Sequence, residues 1–127
     1  MEKEIVFIDD ERTMPIGFTK IFRTGESFIE WIKENPKVEI ELSLDHDLGW
    51  GIDGYEICKQ LANIPNNIIY FQFHTANPVG WDNMFNFIYF GHNRHGLFPN
   101  LKYVNTYQIV YNEKHNEYDR SKFEKYI

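Results

Sequence analysis

The segment Ser43-Leu44-Asp45-His46-Asp47-Leu48-Gly49 places two carboxylates and an imidazole within three residues, directly after an apolar run. A second acidic pair, Asp9-Asp10, follows Ile5-Val6-Phe7-Ile8, and a third apolar run, Ile68–Phe73, leads into His74-Thr75-Ala76-Asn77-Pro78. These residue types suit metal-assisted chemistry on a phosphate. Asp9, Asp10 and Asp45 are hard oxygen ligands of the kind that take Mg²⁺ or Mn²⁺ rather than zinc. Crowded together without a cation, such acids repel one another and some of them hold a proton. In an extended stretch Asp45 and Asp47 point one way and His46 the other. His74, with an ordinary pKa near neutrality, can give a proton to a departing oxygen. Arg12 can clamp a phosphate with two parallel hydrogen bonds, or pair with Glu11. Thr75 and Asn77 can donate to phosphate oxygens, and Asn77 can equally serve as a helix cap. His46 reads as a catalytic or a supporting residue.

Three polar motifs, each placed after an apolar run, need elements that bring them together. The run Ile5–Ile8 suits a strand buried on both faces. Ile40, Leu42 and Leu44 alternate with Glu39, Glu41 and Ser43 and read as a second strand, and Ile68–Phe73 as a third. Between them lie helical patterns. Ser27 is placed to cap a helix holding Phe28, Trp31 and Ile32, stopped by Asn35-Pro36. Asp53 is placed to cap the next, with Ile57, Cys58, Leu61 and Ala62 inward. Asn77-Pro78 is a strong helix start, followed by Trp81, Met84, Phe85 and Ile88 at helical spacing. Gly91–Pro99 reads as a polar loop carrying His92, Arg94 and His95, either a lid over an anion or a solvated turn. Alternating strands and helices predict an α/β fold with a mostly parallel central sheet. Right-handed crossovers then bring the strands' carboxyl ends to one edge, where ligands of such sheets bind. The Trp50-Gly51 loop could close over a base by stacking, whereas Trp81 belongs to the core.

With 127 residues, 43% of them hydrophobic, the chain is expected to form one domain over residues 1–127. Within it, residues 100–127 supply a β-rich stretch near Tyr103–Tyr111 and a polar, partly helical tail from Glu113. The tail's tyrosines could form an interface, and the sequence leaves the oligomeric state open. A formal charge of −6 excludes a broad nucleic-acid surface, yet allows a small phosphorylated ligand or an RNA end once a metal supplies positive charge. Cys58 stands alone, which excludes a disulfide framework and fits a reducing compartment. Without a signal-like N-terminus or a membrane-length apolar stretch, a cytoplasmic protein is expected.

Several of these motifs resemble known ones. Ile8-Asp9-Asp10-Glu11 resembles the first-strand acidic pair of response-regulator receiver domains, and Asp45 falls where their phosphoacceptor aspartate ends the third strand. Asp53-Gly54-Tyr55-Glu56-Ile57 resembles the start of the helix that follows, and Thr75-Ala76 the pair after their fourth strand. The chain departs from ordinary receivers in having His46-Asp47-Leu48-Gly49 after Asp45. Lys102 also precedes Tyr103, where receivers have a lysine before a proline. The fuller pattern, Asp9-Asp10-Glu11-Arg12, then Ser43–Gly49, Asp53-Gly54 and His74–Pro78, is similar to the cyclic-phosphate-processing receiver domains. The resemblance covers about residues 3–90. It implies a receiver-like (flavodoxin-like) three-layer sandwich whose acidic pocket acts on cyclic phosphates.

The reading that joins residues and resemblance is a metal-dependent phosphoesterase opening a cyclic phosphate of a nucleotide or RNA end. Asp9, Asp10 and Asp45 would hold Mg²⁺ or Mn²⁺, Asp47 would orient water, and His74, Asp45, Asp47 and His46 form the catalytic set. Arg12, Thr75 and Asn77 would bind the substrate. The alternatives are a phosphoacceptor switch at Asp45 and a module that binds a nucleotide without chemistry.

Overall fold

The computed structural model describes residues 2–106 and, for the backbone, the short strands at 111–112, 117–118 and 125–126. Strands β1 (Lys3–Ile8), β2 (Lys20–Phe22), β3 (Glu39–Leu44), β4 (Asn67–Phe73) and β5 (Tyr103–Asn105) alternate with helices α1 (Gly25–Glu34), α2 (Gly54–Leu61) and α3 (Pro78–His95). Three two-residue strands follow: β6 (Tyr111–Asn112), β7 (Glu117–Tyr118) and β8 (Lys125–Tyr126). The main sheet has the order β2-β1-β3-β4-β5-β8, with the first five strands parallel and β8 antiparallel at the edge. β6 and β7 pair separately. This is the receiver-like, flavodoxin-like α/β fold that the strand and helix pattern and the resemblance anticipate. The third layer of the expected three-layer sandwich is not seen among the described residues, because no helix joins β1 to β2 and the three helices share one face.

One sheet face carries Val6, Ile8, Leu42, Leu44, Phe71 and Phe73, packed with Phe28 and Ile32 of α1, Ile57 and Leu61 of α2, and Met84 and Ile88 of α3. Among the described residues all three helices cover this face. β1 reaches β2 through residues 9–19 with no helix between them, so the loop carrying Asp9 to Arg12 lies open at the sheet's edge. The opposite face holds Phe7 packed on Phe18, together with the buried polar side chains Glu41, Ser43 and Gln72. No helix among the described residues is long and apolar enough to cross a membrane.

Local details differ from expectation in four places. Thr24, not Ser27, caps α1: its Oγ1 accepts from the Ser27 amide at 3.1 Å, because Ser27 already sits in the first turn where the orphan N–H groups are. β2 was not foreseen, since three half-buried residues carry no periodic signal. α3 continues through Gly91 to His95, so His92, Arg94 and His95 belong to its last turn rather than to a loop. Gly96, at φ +68°, ends the helix in a left-handed cap, and the basic side chains suit the negative end of its dipole. Within the expected tail, Glu117–Tyr118 and Lys125–Tyr126 are strands, not helix; the remainder of the tail lies outside the described residues, as do its tyrosine side chains. The Asp53 and Asn77 caps are as expected, with Asp53 accepting from Glu56 N at 2.8 Å and Asn77 from Gly80 N at 3.0 Å.

Candidate functional site

Strand register alone brings the three motifs level. Ile8 pairs with Leu44, and Leu44 with Phe73, so Asp9, Asp45 and His74 each stand one residue past the end of adjacent parallel strands. The ladder runs on into them: Asp45 N donates to Ile8 O at 3.1 Å and His74 N to Leu44 O at 3.2 Å. Side chains alternate along a strand, so all three project on the face of Phe7, Ser43 and Gln72, away from the helices. They are buried, at 1%, 7% and 3% exposure. Each offers a ligand atom within 4.8 Å of the other two, a grouping able to hold a metal ion.

Asp9 is the most fully engaged of the three. Its Oδ1 accepts from the amides of Glu11 and Arg12, at 2.9 and 2.8 Å, closing the loop after β1 as a side-chain turn. Its Oδ2 accepts from Arg12 Nη1 at 2.8 Å and lies 3.0 Å from His74 Nε2. Burial alone would raise this carboxyl's pKa. The bonds from His74, from the two amides and from the Arg12 side chain outweigh burial and hold the pKa far below the usual carboxylate range. Asp45 is shifted the other way. Burial raises its pKa, the nearby negative Asp9 adds to this, and His74, Thr75 and Arg12 only partly offset it. Its contacts are looser: Arg12 Nη1 lies 3.5 Å from Oδ2, and Asp47 N donates to Oδ1 at 3.3 Å.

His74 has both ring nitrogens occupied, Nε2 by Asp9 and Nδ1 by Ser43 Oγ at 2.8 Å. Its ring stacks on Phe7 with centroids 4.5 Å apart. It therefore stands behind Asp9. Arg12 is partly exposed and reaches between Asp9 and Asp45. Thr75 is buried with its hydroxyl bonded to the Asp45 carboxylate, and that hydroxyl also accepts from Asn77 N at 3.2 Å.

An open cavity of about 380 Å³ lies over the cluster, lined by Asp9, Asp10, Glu11, Arg12, Asp45, Asp47 and Gly49. Asp10 and Asp47 are thus in the same cavity as Asp9 and Asp45. Gly49, at φ +69°, lets Asp10 come close: a Cβ there would lie 2.8 Å from Asp10 Oδ2. His46 turns away from the cavity. Its Nδ1 lies 2.9 Å from Asp47 Oδ1, its Nε2 3.8 Å from Asp53 Oδ2, and its ring rests where a side chain on Gly80 would be. It ties the loop after β3 to the starts of α2 and α3. Asn77 caps α3 with its Oδ1, and its Nδ2 lies 3.5 Å from His46 Nδ1. Lys102, by contrast, is at the opposite end of the sheet, where its amide donates to Ile69 O ahead of β5. Among the described residues no lysine lines the cavity.

Two supporting residues escaped the sequence. Ser43 reads in sequence only as a position alternating with the apolar residues of a strand, yet it holds the His74 ring. Arg23 carried no motif, yet its Nη1 donates to the carbonyls of Asp9, at 3.1 Å, and Arg12, which fixes the loop after β1. Only the strand register and the β1–β2 pairing bring these residues to the site.

Five carboxylates against one guanidinium make the cavity strongly negative. A phosphate enters such a place only with a cation, and the donors present are carboxylate oxygens with an imidazole behind them, a set that fits Mg²⁺ or Mn²⁺. No curated protein and no solved structure matches the chain. A family model described as the cyclic-phosphate processing receiver domain matches residues 4–90, a span that contains every cavity-lining residue. The fold, the acidic edge of the sheet and this match over more than half of the chain agree, and the protein belongs to the cyclic-phosphate processing receiver domain family.

Proposed function

We propose that the protein is a metal-dependent phosphoesterase that opens a cyclic phosphate of a nucleotide or RNA end. The observation that carries this reading is the negative cavity in which Asp9 and Asp45 flank the Arg12 guanidinium. Asp9 and Asp45, with Asp10 beside them, would hold Mg²⁺ or Mn²⁺, which supplies Lewis-acid polarisation of the phosphoryl group.

The remaining work falls to the chain's own residues. Arg12, released from its bridge, faces the phosphoryl oxygens and balances the charge that grows on them. Asp47, exposed at the cavity mouth, orients water and accepts its proton as the water oxygen bonds to phosphorus. The ring P–O bond breaks, and the leaving oxygen takes a proton from solvent at the open mouth. His74, held between Ser43 and Asp9, serves as a positioning residue that keeps Asp9 ionised and oriented. Thr75 does the same for Asp45, and Asn77 and His46 keep the surrounding loops in place.

Phosphorus NMR of the protein with Mn²⁺ or Mg²⁺ and a panel of cyclic phosphates tests this. A monoester product that needs the metal and disappears in Asp45→Asn is expected. Intact substrates throughout, with wild type and variant behaving alike, would refute the reading. The bond between Asp45 and Thr75 favours one second reading, a phosphoacceptor at Asp45. Intact-mass measurement after a small phosphodonor would reveal it as a covalently held phosphoryl group.

A further inference from the structure

Trp50 is 78% exposed, the most exposed large apolar side chain of the described residues. Isolated apolar residues on a surface are ordinary and need no explanation. This one is held out by a built support. Gly49 sits at φ +69° and Trp50 N donates to Leu48 O at 2.6 Å, the tight γ-type reversal that a glycine permits. Gly51 follows at φ +79° and lies against the Glu26 carboxylate, which accepts from Ile52 N at 2.9 Å. Leu48 is buried and Ile52 packs on the core at the loop's two ends. The loop is anchored on both sides, and the indole at its tip points away from the protein.

The position matters because of what the cavity lacks. Its lining is carboxylates, a guanidinium and a glycine, with no apolar or aromatic side chain to receive a nucleobase. A substrate whose phosphate enters this cavity must leave its base at the rim. Gly49 forms part of that rim, and Trp50 is the next residue, with its Cα about 3.8 Å further on. An indole face is the strongest stacking surface that a side chain offers to a base, and stacking is indifferent to base identity.

Resting on the phosphoesterase reading, we infer that Trp50 is a specificity residue that stacks on the unpaired base carried next to the cyclic phosphate. The substrates are therefore nucleotides, as free mononucleotides or single-stranded ends, rather than base-free cyclic phosphodiesters.

Indole fluorescence and turnover, measured together on the full chain with Mg²⁺ or Mn²⁺, test this. The probes are adenosine 2′,3′-cyclic phosphate and ethylene glycol cyclic phosphate, which has the ring but no base. The nucleotide is expected to quench emission, the base-free compound is not, and Trp50→Leu is expected to abolish the quench. In turnover, Trp50→Leu raises KM for the nucleotide by roughly 5- to 100-fold with kcat retained, and Trp50→Phe recovers most of the loss. The defect is confined to substrates that carry a base. A quench that survives in Trp50→Leu, no quench at all, or an equal loss on both compounds would overturn the inference. Quench without turnover of any cyclic phosphate would keep the stacking site and sink the esterase reading, whereas turnover without quench would do the reverse. A single-stranded oligoribonucleotide ending in a 2′,3′-cyclic phosphate, run beside a blunt duplex of the same end, separates the sources. Tighter binding of the single strand than of the mononucleotide identifies an RNA end, and equal binding the mononucleotide. A duplex bound as well as the single strand would count against an unpaired base.

Discussion

Asp9 and Asp45 stand side by side, and their surroundings push the two carboxyls in opposite directions. Asp9, with its pKa lowered on folding, contributes stability above the ordinary carboxylate value of about 3.9 and loses it as pH falls through its own lower pKa. Asp45, with its pKa raised, works in reverse. Its ionisation opposes folding, and that cost disappears as pH falls through the raised value toward the ordinary one. Asp45→Asn is therefore expected to raise the melting temperature of the metal-free protein at pH 7 by a few degrees. The gain should fade as pH approaches about 4, where wild-type Asp45 is protonated too. Thermal melts across that range with a chelator present check it, and a pH-independent effect would contradict it. Arg12 makes a second prediction. Its guanidinium lies between the carboxylates that would hold a cation, so the two compete. Arg12→Ala should tighten Mn²⁺ binding by about tenfold while weakening substrate binding, read by calorimetry and KM respectively.

At the level of elements, the site depends on how helices begin and strands end. Asn77 satisfies an orphan amide of α3 at Gly80 and also faces His46, so capping and any phosphate contact draw on one side chain. Asn77→Ala should cost about 1 kcal/mol of stability, and Asn77→Ser should restore it, because either side chain can cap. If Asn77 acts only as a cap, Asn77→Ser also restores activity; a serine variant that is stable but impaired would reveal a direct phosphate contact. Gly54 allows no addition at all: a Cβ there would meet Asp45 O at 2.4 Å and Met84 Sδ at 2.7 Å. Gly54→Ala should lower stability and displace the loop that carries Asp45, seen as lost Mn²⁺ affinity together with a lower melting temperature. Much at this scale was readable in sequence, because caps and apolar runs are local signals. The extension of α3 past Gly91 was not, since a glycine inside a helical run reads locally as a stop, whereas the left-handed cap falls at Gly96, with Leu97 N bonded back to Gly91 O at 3.1 Å.

Across the whole molecule, the parallel sheet collects acids at one edge of a chain with a net charge of −6. A polyanion-binding protein loses affinity steeply as salt rises. Here the overall field repels an anionic ligand, so with saturating Mn²⁺ the KM for a cyclic mononucleotide should stay flat or fall as KCl rises from about 50 to about 200 mM. A steep rise in KM would contradict this expectation. The same architecture explains the burial of Cys58, whose thiol is pushed well above its ordinary pKa inside the helical layer and does not line the acidic cavity.

The order of apolar runs and polar strand ends determined the α/β class, the parallel sheet and the three motifs, because strand burial and helix capping are written in neighbouring residues. Asp9, Asp45 and His74 could be named as partners for the same reason. What the tertiary structure alone decided is how each side chain is used. Register set the three level and turned them to one face; burial and hydrogen bonds gave Asp9 and Asp45 opposite proton affinities. His74 went behind Asp9, with Ser43 and Phe7 holding its ring, and Arg23, one residue past β2, fixes the loop after β1. These outcomes depend on distances between residues far apart in the chain, and local sequence carries no record of such distances.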